Sequence, residues 1–397
     1  MHIAAFCPPY ASHLRAFSAL AEALAARGHR VTFVLPQGRG PDTDHPGVEV
    51  HHLDLGATGG GDQLRAIASS AARTDLLCRA AGRLPDVDAI LGDQTEPAAG
   101  LIAAHRGLPL IGVACALPLD PAPGVPLPFL GWPYDPGPRG LRRNAGGDRV
   151  ADWILRRHNA VIRDWSARFG LPLRERMTDC LSDLLTLSQT LPGFDFPRPP
   201  GPIVETGPLR RAVRQPFPAD IHPDPDRPFV YLSLGTVQGH RVRMLRLLSE
   251  ACRRAGAQVL VCHAGGLSPR AAAALNATWV RDFVPQEAVL DRADLCITHA
   301  GLNTAMEALM RGVPMLAVPI AFDQPGVAAR LDHHGVALRQ NRRTLTVDGA
   351  ERQIRRLLHD PAFRTRARAF GPGPGTAAAV DRIEAALSQA QGLVAAQ

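Results

Sequence analysis

The chain has 397 residues, of which 46% are hydrophobic, 20% charged and 5% aromatic. Such a length exceeds one ordinary domain, and the balance excludes a disordered or fibrous chain. All 44 basic residues are Arg and the formal net charge is +7, but no dense basic run or aromatic-interleaved motif points to a nucleic-acid partner.

The first 120 residues alternate short apolar runs with helical periods. Strands are predicted at His2–Cys7, Arg30–Leu35, Val48–Leu53, Asp88–Leu91 and Pro109–Ala114, with helices over His13–Arg27, Gln63–Arg83 and Pro97–His105. Apolar strands separated by helices imply a parallel sheet covered on both faces. From 118 to 147 the chain is rich in Pro and Gly and shows no period, so it reads as a long loop carrying Phe129, Trp132 and Tyr134. A helix follows over Arg149–Arg168 and a strand over Leu184–Ser188. Eleven prolines lie between Leu191 and Phe229, and the linker is placed there. The alternation then restarts with strands at Phe229–Leu234, Gln258–Cys262, Thr278–Phe283, Leu295–Thr298 and Met315–Pro319. Two βαβ domains facing each other are expected, with ligands beyond the carboxyl ends of the strands.

The seven cysteines are scattered and form no C-x-x-C pair, which reads as reduced, structural and cytoplasmic. The amino terminus lacks a basic region, and Pro8-Pro9 interrupt its apolar stretch before it could serve as a signal peptide. No apolar run reaches the roughly 18 to 20 residues of a spanning helix, so any membrane contact is expected to be peripheral.

The richest stretch runs from Phe283 to Gln324. The strand Leu295–Thr298 ends in His299-Ala300-Gly301 and opens a helix near Leu302, a ready anion site because free N–H groups and the helix dipole meet there. His299, Asn303 and Thr304 add side-chain donors for a diphosphate. Glu307, one turn deeper on the face of Asn303, suits ribose hydroxyls. No metal-ligand set accompanies them. In the first half, the loop PPYASHLRA delivers His13 to a helix start, and Asp93 ends another strand of the same sheet. A His base oriented by a buried carboxylate could deprotonate a hydroxyl. Position alone leaves a second reading open, in which Ser12 and Asp93 merely cap helices.

Phe283–Gln324 resembles the nucleotide-sugar signature of the family 1 glycosyltransferases: P-Q, then H-A-G-x-N-T-x-x-E, then G-V-P-M, then D-Q. The resemblance implies the GT-B fold, an α/β architecture of two facing Rossmann-like domains with a deep interdomain cleft. It implies an acceptor-binding domain over 1–212, a Pro-rich linker over 213–228, a donor domain over 229–375 and a C-terminal helix over 376–397 that packs back on the first domain. By the same resemblance Val284 and Gln286 contact uracil, with Phe283 where the family often has Trp. His299, Gly301, Asn303 and Thr304 hold the diphosphate, with Gly235 and Thr236 forming a second phosphate-side loop. Glu307 binds the ribose, Asp323 and Gln324 hold sugar hydroxyls, and His13 and Asp93 form the catalytic pair.

The implied reaction is a metal-independent, inverting transfer of glucose from UDP-glucose, a co-substrate with no further cofactor, to a hydroxyl of an apolar acceptor. APPY-like entry before SHLRA, LGDQTEP, ACALPL, SLGTVQGHR and FDQPGVAARL resemble the carotenoid-modifying branch of that family across most of the chain. That branch implies a terminal ring hydroxyl of a long polyene as acceptor, with Phe129, Trp132 and Tyr134 forming an apolar mouth or else packing on their own domain. A macrolide or aromatic polyketide acceptor would share every donor residue and differ in segments such as 55–85 and 118–147. A sugar-nucleotide epimerase of the same fold would need no acceptor site. D-x-D at Asp86 and at Asp224, and the pairs His51-His52 and His333-His334, read as solvated turns or divergent side chains.

Overall fold

The computed structural model describes residues 1–54, 63–211 and 215–395. The expected boundary at 212/213 and part of segment 55–85 lie outside the described residues. The first half carries strands β1 (His2–Phe6), β2 (Arg30–Pro36), β3 (Val48–Leu53), β4 (Ala89–Asp93), β5 (Leu110–Ala114), β6 (Leu185–Ser188) and β7 (Ile203–Glu205). Helices α1 (Ala11–Ala25), α2 (Gln63–Arg79), α3 (Pro97–Arg106) and α4 (Pro138–Arg168) connect them. The second half carries β8 (Phe229–Ser233), β9 (Gln258–Cys262), β10 (Trp279–Arg281), β11 (Leu295–Thr298), β12 (Met315–Ala317) and β13 (Ala337–Arg339). Its helices are α5 (Gly235–Gln238), α6 (Val242–Arg254), α7 (Pro269–Ala273), α8 (Gln286–Leu290), α9 (Leu302–Met310), α10 (Gln324–His333), α11 (Val347–His359), α12 (Pro361–Arg368) and α13 (Gly375–Ala395).

The strand orders are β3-β2-β1-β4-β5-β6-β7 and β10-β9-β8-β11-β12-β13, and every pairing is parallel. Each sheet therefore reverses its winding once, between β1 and β4 and between β8 and β11, and those are the places where loops diverge to admit a ligand. Strand alternation divides each core in two. Ile3 and Ala5 of β1 join a cluster with α1 and α13, while Ala4 and Phe6 join one with α3 and Trp165 of α4. Val230 and Leu232 likewise pack toward α6 and α11, and Phe229 and Tyr231 toward α9 and α10.

The halves share a core as well: Leu117, Leu191 and Phe194 pack in one cluster with Met306 and Leu331. Arg330 of α10, fully buried, donates to Asp195 at 2.6 Å, and Asp195 also accepts from Arg198 at 2.6 Å. Helix α13 returns to α1, and just beyond the end of α1 Arg27 meets Asp381 and Glu384, each at 2.7 Å.

Strand β13 was not expected from the sequence, and two further elements differ from that reading. Helix α4 begins at Pro138, inside the expected loop. Its buried residues there are Gly140, Asn144, Gly147 and Ala151, so the helical period is written in small residues that carry no apolar signal. The small faces are needed, since a Cβ on Gly147 would lie 2.9 Å from Leu130 and 3.0 Å from Trp132. Strand β7 lies within the Pro-rich stretch; it pairs only with β6, and an edge strand tolerates the flanking prolines.

Candidate active site

The carboxyl ends of β1 and β4 are adjacent because those strands pair in parallel, Phe6 beside Gly92. His13 sits in the first turn of α1, and its Nδ1 lies 2.7 Å from Asp93 Oδ2. The Asp93 side chain is fully buried and that of His13 is 15% exposed. Neither Ser12 nor Asp93 serves as a helix cap: the cap position of α1 is Tyr10, without a side-chain cap bond, and that of α3 is Glu96. Asp93 Oδ1 instead accepts from the Thr95 amide at 2.8 Å and the Thr95 hydroxyl at 2.5 Å.

Burial acts to lower the His13 pKa, but the charge and hydrogen bond of Asp93 outweigh it, and the net direction is upward. For Asp93 burial acts to raise the pKa, and His13 with Thr95 carries it below the ordinary carboxylate value. Sequence reasoning missed two neighbours. The Tyr10 ring, 5.8 Å from that of His13, lay in the quoted loop, whereas the Cys115 thiol, within 4.8 Å of the His13 and Asp93 ligand atoms, follows β5 with no local signal. His13, Asp93 and Cys115 offer metal-type ligand atoms within 4.8 Å of one another, but His13 and Asp93 are already bonded to each other.

Across the halves, Asp323 is the residue before the first turn of α10, without a side-chain cap bond, lies near the Leu117 amide and acts on His13 through its charge; burial raises its pKa. The approach is close: a Cβ on Gly326 would lie 2.0 Å from the Pro128 carbonyl oxygen, and Arg339 donates to the Gly131 carbonyl at 3.0 Å. Gln324 Oε1 accepts from the Ile320 and Ala321 amides, both at 2.8 Å, and the residue is buried.

On the second sheet the loops after β8 and β11 meet around His299. A Cβ on Gly235 would lie 2.6 Å from the imidazole and one on Gly301 2.5 Å from it, so both positions require glycine. Gly235 also has a φ of 74°, which glycine adopts without strain. Burial lowers the His299 pKa to about 4, so the ring is neutral near pH 7. Helix α9 starts at Gly301 with no side-chain cap, and its first recorded bond runs from the Ala305 amide to the Gly301 carbonyl. Its leading N–H groups thus remain for a ligand. Asn303 Oδ1 beside them is buried without a partner. Thr236 is exposed at the start of α5.

Glu307 is tied more tightly than the sequence suggests. Its Oε2 accepts from Gln286 Nε2 at 2.6 Å, and its Oε1 accepts from Arg210 Nε at 3.2 Å and from its terminal nitrogen at 3.1 Å. Arg210 comes from the segment between the sheets and is itself held by Gln189 and Thr376. Gln286 Oε1 accepts from the hydroxyls of Tyr231 at 3.1 Å and Thr304 at 3.4 Å. Val284 packs against the core, while Phe283 is 70% exposed. The expected acceptor aromatics are engaged on their own surroundings. Trp132 lies under Arg143 at 5.1 Å, Tyr134 stacks on Phe196 at 5.7 Å, and Phe129 is half-buried.

Residues 171–369 match the model for UDP-glucoronosyl and UDP-glucosyl transferase, and residues 14–163 match a glycosyl transferase 4-like domain. A zeaxanthin glucosyltransferase from Pantoea ananas is 38% identical over 98% of this chain and 97% of its own. One from Pseudescherichia vulneris is 38% identical over 98% of each.

The chain belongs to the UDP-glycosyltransferase family.

It is a glycosyltransferase by that membership. Among solved structures, the UDP-glycosyltransferase superposes on the kitacinnamycin glycotransferase with a TM-score of 0.78 at 23% identity, covering 97% of this chain and 98% of that one. The calicheamicin glycosyltransferase matches with 0.74 at 22% identity over 98% of both. Those likenesses place the fold in the GT-B class.

Proposed function

We propose that the chain transfers glucose from UDP-glucose, with inversion and without a metal ion, to a ring hydroxyl of an apolar acceptor of the zeaxanthin type. The observation that carries this is the 2.7 Å bond from His13 Nδ1 to Asp93, which leaves Nε2 as the free base opposite Asp323 of the donor half. Nε2 takes the acceptor proton as the hydroxyl oxygen bonds to the anomeric carbon, and the sugar–phosphate bond breaks on the far face, releasing UDP. The buried Asp93 stabilises the imidazolium that forms.

The α9 N-terminus, the neutral His299 and Asn303 supply donors to the leaving diphosphate, where charge develops. The one metal-type cluster found among the described residues is His13, Asp93 and Cys115, and a cation there would consume the base. Phe283 offers a face to the uracil, Val284 and the Gln286 backbone reach its edge, and Glu307 accepts from the ribose. The carboxylate of Asp323 and the amide of Gln324 meet sugar hydroxyls. The near full-length similarity to zeaxanthin glucosyltransferases supports the acceptor class. An acceptor so apolar resides in a bilayer, and the proposed contact with it is peripheral; among the described residues no helix is long and apolar enough to cross one.

The test is mass spectrometry of zeaxanthin incubated with UDP-glucose in detergent and chelator, beside His13→Ala. Hexose added by the wild type alone, as the β-glucoside, is the expected outcome. Saturable UDP-glucose binding without transfer would discard zeaxanthin and retain the donor site.

A further inference from the structure

Helix α4 carries eight arginines and three aspartates over residues 138–168. Its buried side is set by Asn144, Gly147, Ala151, His158, Ile162 and Trp165. The opposite side centres on Trp153, 66% exposed, with Val150 one turn before it 59% exposed. On the same side, at the spacing of one helical turn, stand Arg149, Arg156 and Arg157, all exposed. Arg156 lies 4.8 Å over the Trp153 ring, so indole and guanidinium are held at one level. Arg149 and Arg157 have no ion-pair partner among the described residues. Of the aspartates, Asp152 is held by Arg176 at 2.6 Å, Asp148 points away from Trp153, and Asp164 lies three turns beyond it.

We propose that this face of α4 docks the enzyme on an anionic bilayer surface, with Trp153 and Val150 entering the headgroup region and Arg149, Arg156 and Arg157 meeting lipid phosphates. An apolar, partly polar-edged indole ringed by cations is the composition of an interfacial helix, and anionic headgroups supply the complementary charge. Nucleic acid fits less well, because a single exposed ring offers no series of stacking platforms. The helix also carries the acceptor-side loop, since Leu130 and Trp132 pack against Gly147. Docking through α4 thus seats on the bilayer the helix against whose inner side that loop packs. The inference extends the proposed acceptor reading, but its evidence is the helix face alone.

The test is co-sedimentation of the full chain with vesicles of mixed phosphatidylglycerol and phosphatidylcholine, beside phosphatidylcholine alone and an RNA homopolymer. The expected result is binding to the anionic vesicles, weakened by salt and at least severalfold stronger than to the zwitterionic ones. Arg149→Gln and Arg157→Gln each weaken it about fivefold, as for about 1 kcal/mol per cation near an anionic surface, and the Lys variants restore it. Trp153→Ala weakens it about tenfold or more. Equal binding to both vesicle types, insensitivity to Trp153→Ala, or binding to RNA but not to vesicles would overturn the proposal. Transfer to a detergent-dispersed acceptor remains at the wild-type rate in all these variants, so loss of docking is distinguishable from failure of the acceptor reading.

Discussion

Asp93→Asn isolates the contribution of the carboxylate behind His13. The substitution keeps the shape and the two bonds from Thr95 but removes the charge that holds His13 above its ordinary pKa. Burial, which acts to lower the His13 pKa, is then unopposed by that charge. The active form is neutral His13, so wild-type kcat/KM should fall as pH drops through a value above about 6.5, and the variant's acid limb should move downward. The plateau rate should fall by roughly 10² to 10⁴, about 3 to 5 kcal/mol of barrier, because the imidazolium loses its buried counter-charge and its orientation. UDP-glucose binding, measured by calorimetry, should be unchanged. An acid limb that does not move, or a loss confined to donor affinity, would refute the assignment. Stability follows the same linkage. Asp93, with a lowered pKa, contributes above about pH 4 and loses its contribution as pH falls through its folded value; His13, with a raised one, contributes below about pH 6.5 and loses it as pH rises through its folded value. The pair therefore stabilises the fold most between those limits.

Gly301→Ala places a Cβ 2.5 Å from the His299 ring and should abolish UDP binding in calorimetry while the fold persists in circular dichroism. Arg210→Ala frees one oxygen of Glu307; the KM for UDP-glucose should rise about tenfold with kcat within about twofold, and Arg210→Lys should recover part of it, marking Arg210 as a positioning residue. Arg330→Met removes a fully buried cation from Asp195 and should destabilise the chain by about 3 kcal/mol, read as a lowered chemical-denaturation midpoint with UDP binding intact at low denaturant.

Much of this protein was legible in its amino-acid order because the relevant signals are local. Parallel strands buried on both faces need unbroken apolar runs, which is why Arg30–Leu35 and Gln258–Cys262 stand out. The turn from β11 into α9 is also local, and with it the positions of His299, Gly301, Asn303 and Thr304. The register of β1 beside β4, which joins His13 to Asp93 across 80 residues, could be inferred from topology but only the folded sheet brings the two atoms to 2.7 Å. Other contacts had no local trace. Arg210 lies in a stretch without period and reaches Glu307 across 97 residues, and the Gln324 carbonyl turns to its own loop. The early start of α4 was hidden because glycine and asparagine face its packing surface. The sequence by itself thus determined the elements and the chemistry delivered to each strand end, since both depend on neighbours in the chain. Only the tertiary structure decided which charges compensate one another, because burial and distance between remote residues exist only once the two sheets have packed.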